Sequence, residues 1–136
     1  MNYLLDTNIV SSFLKKKVVI DKKLEQVRRL GQQVFISCIT YYEIRRGLVY
    51  INATRQIAEF EQFCKRYKVL LLDDIKIIER AIRIHVDLQS RGLSLEDADI
   101  LIAATAITRG LILVSHDSDM QRVPGITLED WLQTES

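Results

Sequence analysis

Short apolar runs alternate with longer segments of helical periodicity along this chain, and this alternation constrains the fold more than any other feature. Runs of four or five residues bounded by polar residues predict buried strands. They occur at 2–5, 33–37, 68–72, 111–115 and 126–129. Because helical segments separate the first four runs, we expect an α/β fold with a central parallel β-sheet flanked by helices on both faces.

The segments between the strands predict the helices. Their expected ranges are 7–14, 22–30, 39–51, 54–67, 75–89 and 94–109. In the fifth, Ile75, Ile78, Ile82 and Val86 recur at helical spacing, so we expect this row to face the core. Asp73 and Asp74 precede that helix and are expected to begin it.

Size and composition are typical of one globular domain, and we expect residues 1–136 to form it. The chain has 136 residues, of which 48% are hydrophobic and 27% charged, with a formal charge of +1. Its apolar stretches are too short to span a bilayer, and no signal peptide is recognisable, so we expect a cytoplasmic protein. Cys38 and Cys64 have neither CxxC spacing nor a nearby histidine, so we expect reduced thiols rather than a zinc site or disulfide.

Acidic side chains follow or face the ends of the predicted strands. In open parallel sheets the ligand binds beyond the carboxyl ends of the strands. The acids expected near that edge are Asp6, Glu43, Asp97, Asp99, Asp117 and Asp119. Two like charges about 4 Å apart repel by roughly 4 kcal/mol at an effective dielectric constant near 20, so several carboxylates together predict a bound cation.

A hard divalent cation fits this set of ligands. Mg²⁺ prefers carboxylate oxygens, keeps several waters and accepts a substrate phosphate as a further ligand. The chemistry expected of such a site is hydrolysis of a phosphate ester or diester.

Asp97 and Asp99 have different expected roles. The spacing Ser94-x-x-Asp97 matches a capping box, which predicts that Asp97 caps the last helix. Asp99 lies about 200° further around the helix, so both side chains cannot point at one ion.

Other interpretations of the acids remain open at this stage. Asp6 can cap the helix that follows it, with or without a metal role, and Glu43 can pair with Arg46 on a helix surface. Asp119 can stabilise the turn after the fourth strand or support Asp117. His85 and His116 have no partner at ligand spacing and are expected to be structural or solvent-facing.

Four segments of the chain resemble the PIN-domain family, and most closely its VapC-type ribonuclease toxins. They are "LLDTNIV" with Asp6, "SCITYYEIRRG" with Glu43, "DADILIAATAI" with Asp99 and "LVSHDSDMQRVPGI" with Asp117. The four segments occur in the family's order, and the resemblance covers nearly the whole chain.

The resemblance implies a Rossmann-like fold and an endoribonuclease that depends on Mg²⁺, with Mn²⁺ as a possible substitute. It implies that the catalytic and metal-binding residues are Asp6, Glu43, Asp99 and Asp117, and it selects Asp99 over Asp97. It also implies an RNA substrate, a homodimer, and inhibition by a small VapB-type antitoxin.

Functions of other classes remain possible on the sequence alone. A PIN-type housekeeping nuclease would have the same acids without an antitoxin. An aspartyl-phosphate phosphatase or phosphoacceptor domain also places acids at strand ends, although Asp6-Thr7-Asn8 lacks a second aspartate two residues after the first. A catalytically inactive binding module is the third alternative. Clustered basic residues, including Lys15, Arg45, Arg46 and Lys65, can contact phosphates, meet an antitoxin or simply face solvent.

Overall fold

The computed structural model describes residues 1–133 and contains one parallel sheet. Its five strands are β1 (Tyr3–Leu5), β2 (Val34–Ser37), β3 (Lys68–Leu70), β4 (Ile112–Val114) and β5 (Leu128–Glu129). Within the described residues their order is β3-β2-β1-β4-β5, and every neighbouring pair is parallel. The predicted α/β fold class is therefore confirmed.

Six helices connect the strands in the described part of the chain. They are α1 (Thr7–Leu14), α2 (Val18–Arg29), α3 (Cys38–Tyr50), α4 (Thr54–Arg66), α5 (Ile75–Ser90) and α6 (Asp97–Arg109). A short 3₁₀ turn, Ser118–Arg122, follows β4. None of the helices described is long and apolar enough to cross a membrane.

The helices cover both faces of the sheet. Side chains alternate along β1, so Tyr3 and Leu5 enter a core with α1, α2, α3 and α4, whereas Leu4 enters a second core with α5 and α6. Both cores contain fully buried side chains, including Phe60 in the first and Ile102 in the second.

The order of the strands creates a crevice at the end of β1. Leu5 is in register with Ile36 of β2 on one side and with Val114 of β4 on the other. The chain leaves β1 toward β2 and returns later to β4, so the connections diverge between β1 and β4. Ligands bind at such switch points, which places Asp6 and the residues after Val114 where a site is expected.

Several predicted boundaries differ from the structure, and those of α2 and β3 are the most informative. Helix α2 begins at Val18, four residues before the predicted start, because Ile20 is fully buried and extends its apolar face. Strand β3 was predicted as a buried run, but it is a three-residue edge strand, and Leu71 just beyond it is 60% exposed.

The predicted core face of α5 is wrong. The helix buries Ile77, Ala81, Ile84 and Leu88, whereas three of the four predicted residues are exposed. Those three are Ile75, Ile82 and Val86. Helix α5 carries two apolar rows at helical spacing, and periodicity alone cannot decide which row packs on the sheet.

Smaller expectations are confirmed. The carboxylate of Asp74 caps α5 by accepting a hydrogen bond from the Lys76 amide at 2.9 Å. Cys38 and Cys64 are free thiols, each partly buried.

Candidate active site

Asp6 is a buried carboxylate at the carboxyl end of β1. Its side chain is 3% exposed, and it caps α1 by accepting a hydrogen bond from the Thr7 amide at 2.8 Å. Its other oxygen accepts a hydrogen bond from the Ser115 hydroxyl at 2.7 Å. The capping role is therefore real, but a cap alone does not require burial between two strands.

Ser115 joins β4 to the Asp6 carboxylate. Its hydroxyl donates to Asp6 and accepts hydrogen bonds from the Asp117 amide at 3.1 Å and from the Asn8 side chain at 3.4 Å. Asn8 in turn accepts from the His116 amide at 3.1 Å. One donor and two acceptor positions are all that a hydroxyl offers, so Ser115 is fully satisfied and fixes the turn after β4 against α1.

Glu43 faces α1 from the first half of α3. The Thr7 hydroxyl donates to Glu43 Oε1 at 2.8 Å and lies 3.0 Å from the Thr40 hydroxyl, from which it can accept. Arg46 lies over the Tyr42 ring rather than beside Glu43. The alternative in which Glu43 pairs with Arg46 is therefore not what the structure shows.

The two acids of α6, Asp97 and Asp99, lie on different sides of the helix, as the rotation of about 200° between them requires. Asp97 is the first residue of α6 and is exposed, whereas Asp99 is half-buried. The cap position belongs to Glu96, whose side chain makes no capping hydrogen bond, so the predicted capping box of Ser94 and Asp97 is wrong. The helix simply begins two residues later than that motif requires.

Asp117 and Asp119 lie in the turn after β4. Asp117 caps the 3₁₀ turn by accepting from the Asp119 amide at 2.9 Å. The Asp119 carboxylate pairs with Arg122 at 3.1 Å, and Arg122 also donates to the Ser94 carbonyl at 3.2 Å. Asp119 is therefore occupied in holding two loops together beside Asp117.

The acids from separate elements influence each other's ionisation. The pKa of Asp99 is raised to about 6, chiefly by burial and then by the charges of Asp6, Asp117, Glu43 and Glu96, in that order. Burial also raises the pKa of Asp6, while the hydrogen bonds from Ser115 and Thr7 oppose that rise. Asp99, Asp117 and Asp119 line one open cavity of about 460 Å³.

These acids fit a cation that keeps several bound waters better than a cation that is coordinated only by protein side chains. Every side chain offered is a carboxylate, which is the chemistry hard divalent cations prefer. Yet no three acidic, histidine or cysteine side chains of residues 1–133 form a group that could already hold an ion. A cation that contacts one or two carboxylates directly and reaches the others through water fits both observations.

The residues that hold the acids in place were not predicted from the sequence. Ser115 was counted only as the end of a strand, although a hydroxyl next to an acidic strand end is the signal that could have identified it. His116 is solvent-facing, as expected, and its Nδ1 lies 2.8 Å from Asp130 Oδ2. Asp130 lies far along the chain, so no local pattern indicates that pair.

Comparison with known proteins identifies a matching domain family and relatives that are VapC ribonucleases. The PIN domain family matches residues 3–126. The tRNA(fMet)-specific endonuclease VapC of Salmonella typhimurium is 31% identical over 133 residues, covering 96% of this chain and 98% of the relative. Ribonuclease VapC2 of Haemophilus influenzae is 32% identical over 137 residues, covering 97% and 99%.

Solved structures agree with the sequence relatives. VapBC2 from Rickettsia felis, bound to a DNA fragment from its promoter, superposes with a TM-score of 0.90 at 25% identity, covering 96% of this chain and 99% of that one. DNA-bound VapBC from Salmonella typhimurium gives a TM-score of 0.85 at 28% identity, covering 96% and 98%.

Proposed function

Since this chain belongs to the PIN-domain family and is a VapC-type ribonuclease toxin, we propose that Asp6, Glu43, Asp99 and Asp117 form its catalytic, metal-binding site. The observation that carries the proposal is the convergence of the four acids. Asp6 is hydrogen-bonded to Ser115 after β4, Glu43 is hydrogen-bonded to Thr7 next to Asp6, and Asp99 and Asp117 line one open cavity. The pKa of Asp99, raised to about 6 in part by the charges of the other three, agrees with this placement. The charges of Glu43 and Asp117 raise the pKa values of both Asp6 and Asp99, and a cation at this position would offset that repulsion. Residues 1–136 are proposed to form one nuclease domain.

Members of this family are generally metal-dependent nucleases, and we take Mg²⁺ as the ion here, with Mn²⁺ as a substitute. When bound, such an ion activates water for attack on a phosphodiester and stabilises charge on the leaving oxygen. Asp6 contributes a carboxylate whose position is fixed by Ser115 and Thr7. Asp99 and Asp117 contribute carboxylates at the open cavity, where the RNA phosphate enters.

RNA is the substrate, and transfer RNA is the class to test first. The relative from Salmonella typhimurium is named for cleavage of tRNA(fMet), and it aligns over almost the whole of both chains. This alignment supports tRNA as a candidate without selecting a cleavage site.

A small antitoxin is the expected partner, because the similar solved structures from Rickettsia felis and Salmonella typhimurium are VapBC complexes. We propose a VapB-type antitoxin, a homodimer and action in the cytoplasm. A neighbouring reading frame that encodes a small DNA-binding protein able to silence cleavage would support the toxin role. A nuclease that no such protein inhibits would instead have a housekeeping role.

The test is cleavage of tRNA with added Mg²⁺, with a chelator, and with Mg²⁺ restored. We expect activity only in the first and third conditions. We also expect the melting temperature to rise with Mg²⁺, because an ion that binds the native state stabilises it. Cleavage that continues in the chelator, or a melting temperature that ignores Mg²⁺, would contradict the proposed site.

A further inference from the structure

A row of planar side chains lies on the exposed face of α3, beside Glu43. Tyr42, Arg46 and Tyr50 are spaced four residues apart, so they lie one above the other along the helix. The guanidinium carbon of Arg46 lies 4.9 Å from the centroid of the Tyr42 ring. We call these three residues the α3 ladder.

Packing does not explain the α3 ladder. Helix α3 buries Thr40, Ile44 and Leu48 on its opposite side. Tyr42 is 56% exposed and Tyr50 is 90% exposed, although both are large rings that a fold normally covers at least in part. Together with their neighbours they line an open cavity of about 560 Å³.

The charge of the α3 ladder is available to a ligand. Among the described residues Arg46 forms no ion pair, whereas its neighbour Arg45 pairs with Glu61 at 3.1 Å. Exposed aromatic rings and arginine planes are the groups on which unpaired nucleobases stack, and a cation among them attracts the phosphate backbone. A neutral apolar partner would leave this charge without a counterpart.

The α3 ladder begins beside Glu43, one of the proposed site acids. Glu43 lies next to Tyr42 in sequence and one helical turn before Arg46, and its carboxylate is held toward α1 by Thr7. An RNA strand whose phosphate reaches the acids therefore has its neighbouring nucleotides close to α3.

We propose that the α3 ladder stacks unpaired nucleobases next to the phosphate that is cleaved, so that the substrate must be single-stranded at this position. The inference rests on the proposed function, because it names the substrate class of that same site. It assigns Tyr42, Arg46 and Tyr50 to RNA binding rather than to catalysis.

Binding measurements separate stacking from charge. The probe is a fluorescein-labelled, unstructured RNA of about 16 nucleotides, a length that single-strand sites span. It is used alone and annealed to its complement, with full-length protein carrying Asp99→Asn so that the RNA stays intact. The variants are Tyr50→Ala and Arg46→Lys, of which the second keeps the charge but removes the plane.

We expect either variant to weaken binding of the single strand about ten-fold, as loss of one stacked base requires. The dependence of affinity on salt should not change, because no phosphate contact is lost. Tyr50→Phe should recover the affinity that Tyr50→Ala loses. The matched control is Arg29→Lys on α2, an exposed arginine paired with Glu25, which should bind like the parent protein.

Three results would overturn the inference. Single-strand affinity unchanged in both Tyr50→Ala and Arg46→Lys would do so, as would equal losses for single-stranded and duplex RNA. A change from dimer to monomer in Tyr50→Ala, measured by light scattering, would show instead that a second copy covers this face. Cleavage by the protein without Asp99→Asn is measured separately, so absent cleavage would count against the proposed function while binding still tests the ladder.

Discussion

Asp6 and Asp99 face the same crevice, but the fold holds them in opposite ways. The Asp6 carboxylate receives hydrogen bonds from Thr7 and Ser115, and these oppose the rise in its pKa. No hydrogen bond from a described residue reaches the Asp99 carboxylate, and its pKa rises to about 6. We call Asp6 the inner half of the site and Asp99 the outer half. Hydrogen bonds within the protein offset part of the cost of burying the inner charge, whereas the outer charge receives no such bond and relies on a cation from outside.

Substitution of the two acids tests this difference most strongly. Asp6→Asn and Asp99→Asn should each lower the rate of RNA cleavage by about 10²-fold or more, the usual loss when charge stabilisation at a reacting centre is removed. The two variants should differ in stability without metal. Asp99→Asn should melt higher than the native protein because it removes repulsion, whereas Asp6→Asn should melt lower because Ser115 and Thr7 have adapted to a carboxylate.

Cleavage rates and melting temperatures in a chelator measure both effects. Native cleavage by either variant would remove that acid from the site. Equal melting shifts for the two variants would show that the fold does not distinguish the inner acid from the outer one.

Ser115→Ala removes a hydrogen bond to Asp6, the inner half of the site, without removing a charge. Supporting hydrogen bonds to metal-site ligands usually contribute 10- to 100-fold in metal affinity or activity, and we expect a loss in that range. The apparent Mg²⁺ affinity, from cleavage rate against Mg²⁺ concentration, is the measurement.

The matched control is Ser118→Ala, an exposed serine in the same turn that does not contact Asp6. Native Mg²⁺ affinity in Ser115→Ala would mean that burial alone positions Asp6.

Features set by neighbouring residues could be predicted from the sequence, whereas features set by contacts between distant residues could not. The succession of strands and helices along the chain and the acids at strand ends follow from local patterns, because apolar runs and helical spacing are properties of neighbouring residues. The hydrogen bond from Ser115 to Asp6 joins residues 109 positions apart, so no local pattern contains it. The prediction of which row of α5 is buried was wrong for a related reason. Only contact with α6 and the sheet decides that Ile77 is buried and Ile75 is not.

The pH dependence of the free energy of unfolding, measured without metal, tests the raised pKa of Asp99, the outer half of the site. The pKa of Asp99 in the folded chain is about 6, above its ordinary value of 3.8, so between these values the folded state binds a proton that the unfolded state lacks. The contribution of Asp99 to the free energy of unfolding must therefore fall as pH rises from about 4 to 6. After allowance for solvent contact of a half-buried group, the loss is about 1–2 kcal/mol.

Urea unfolding in a chelator at several pH values measures this loss as the difference between native protein and Asp99→Asn. Subtraction of the variant removes the contributions of all other acids. Parallel curves would mean that Asp99 is not held at a raised pKa, and the need for an external charge would lose its basis.

Asp97→Asn should have the smallest effect and gives the comparison its control. Asp97 carries the same charge as Asp99 and lies two residues away, but it is exposed and points about 200° around α6. Exposed substitutions of this kind usually change stability by less than about 0.5 kcal/mol, and cleavage should stay within about two-fold of native. If Asp97→Asn instead lost as much cleavage as Asp99→Asn, net negative charge near the crevice would determine activity. The position of each carboxylate would then not determine the cleavage rate, and the distinction between the inner and outer halves of the site would be wrong.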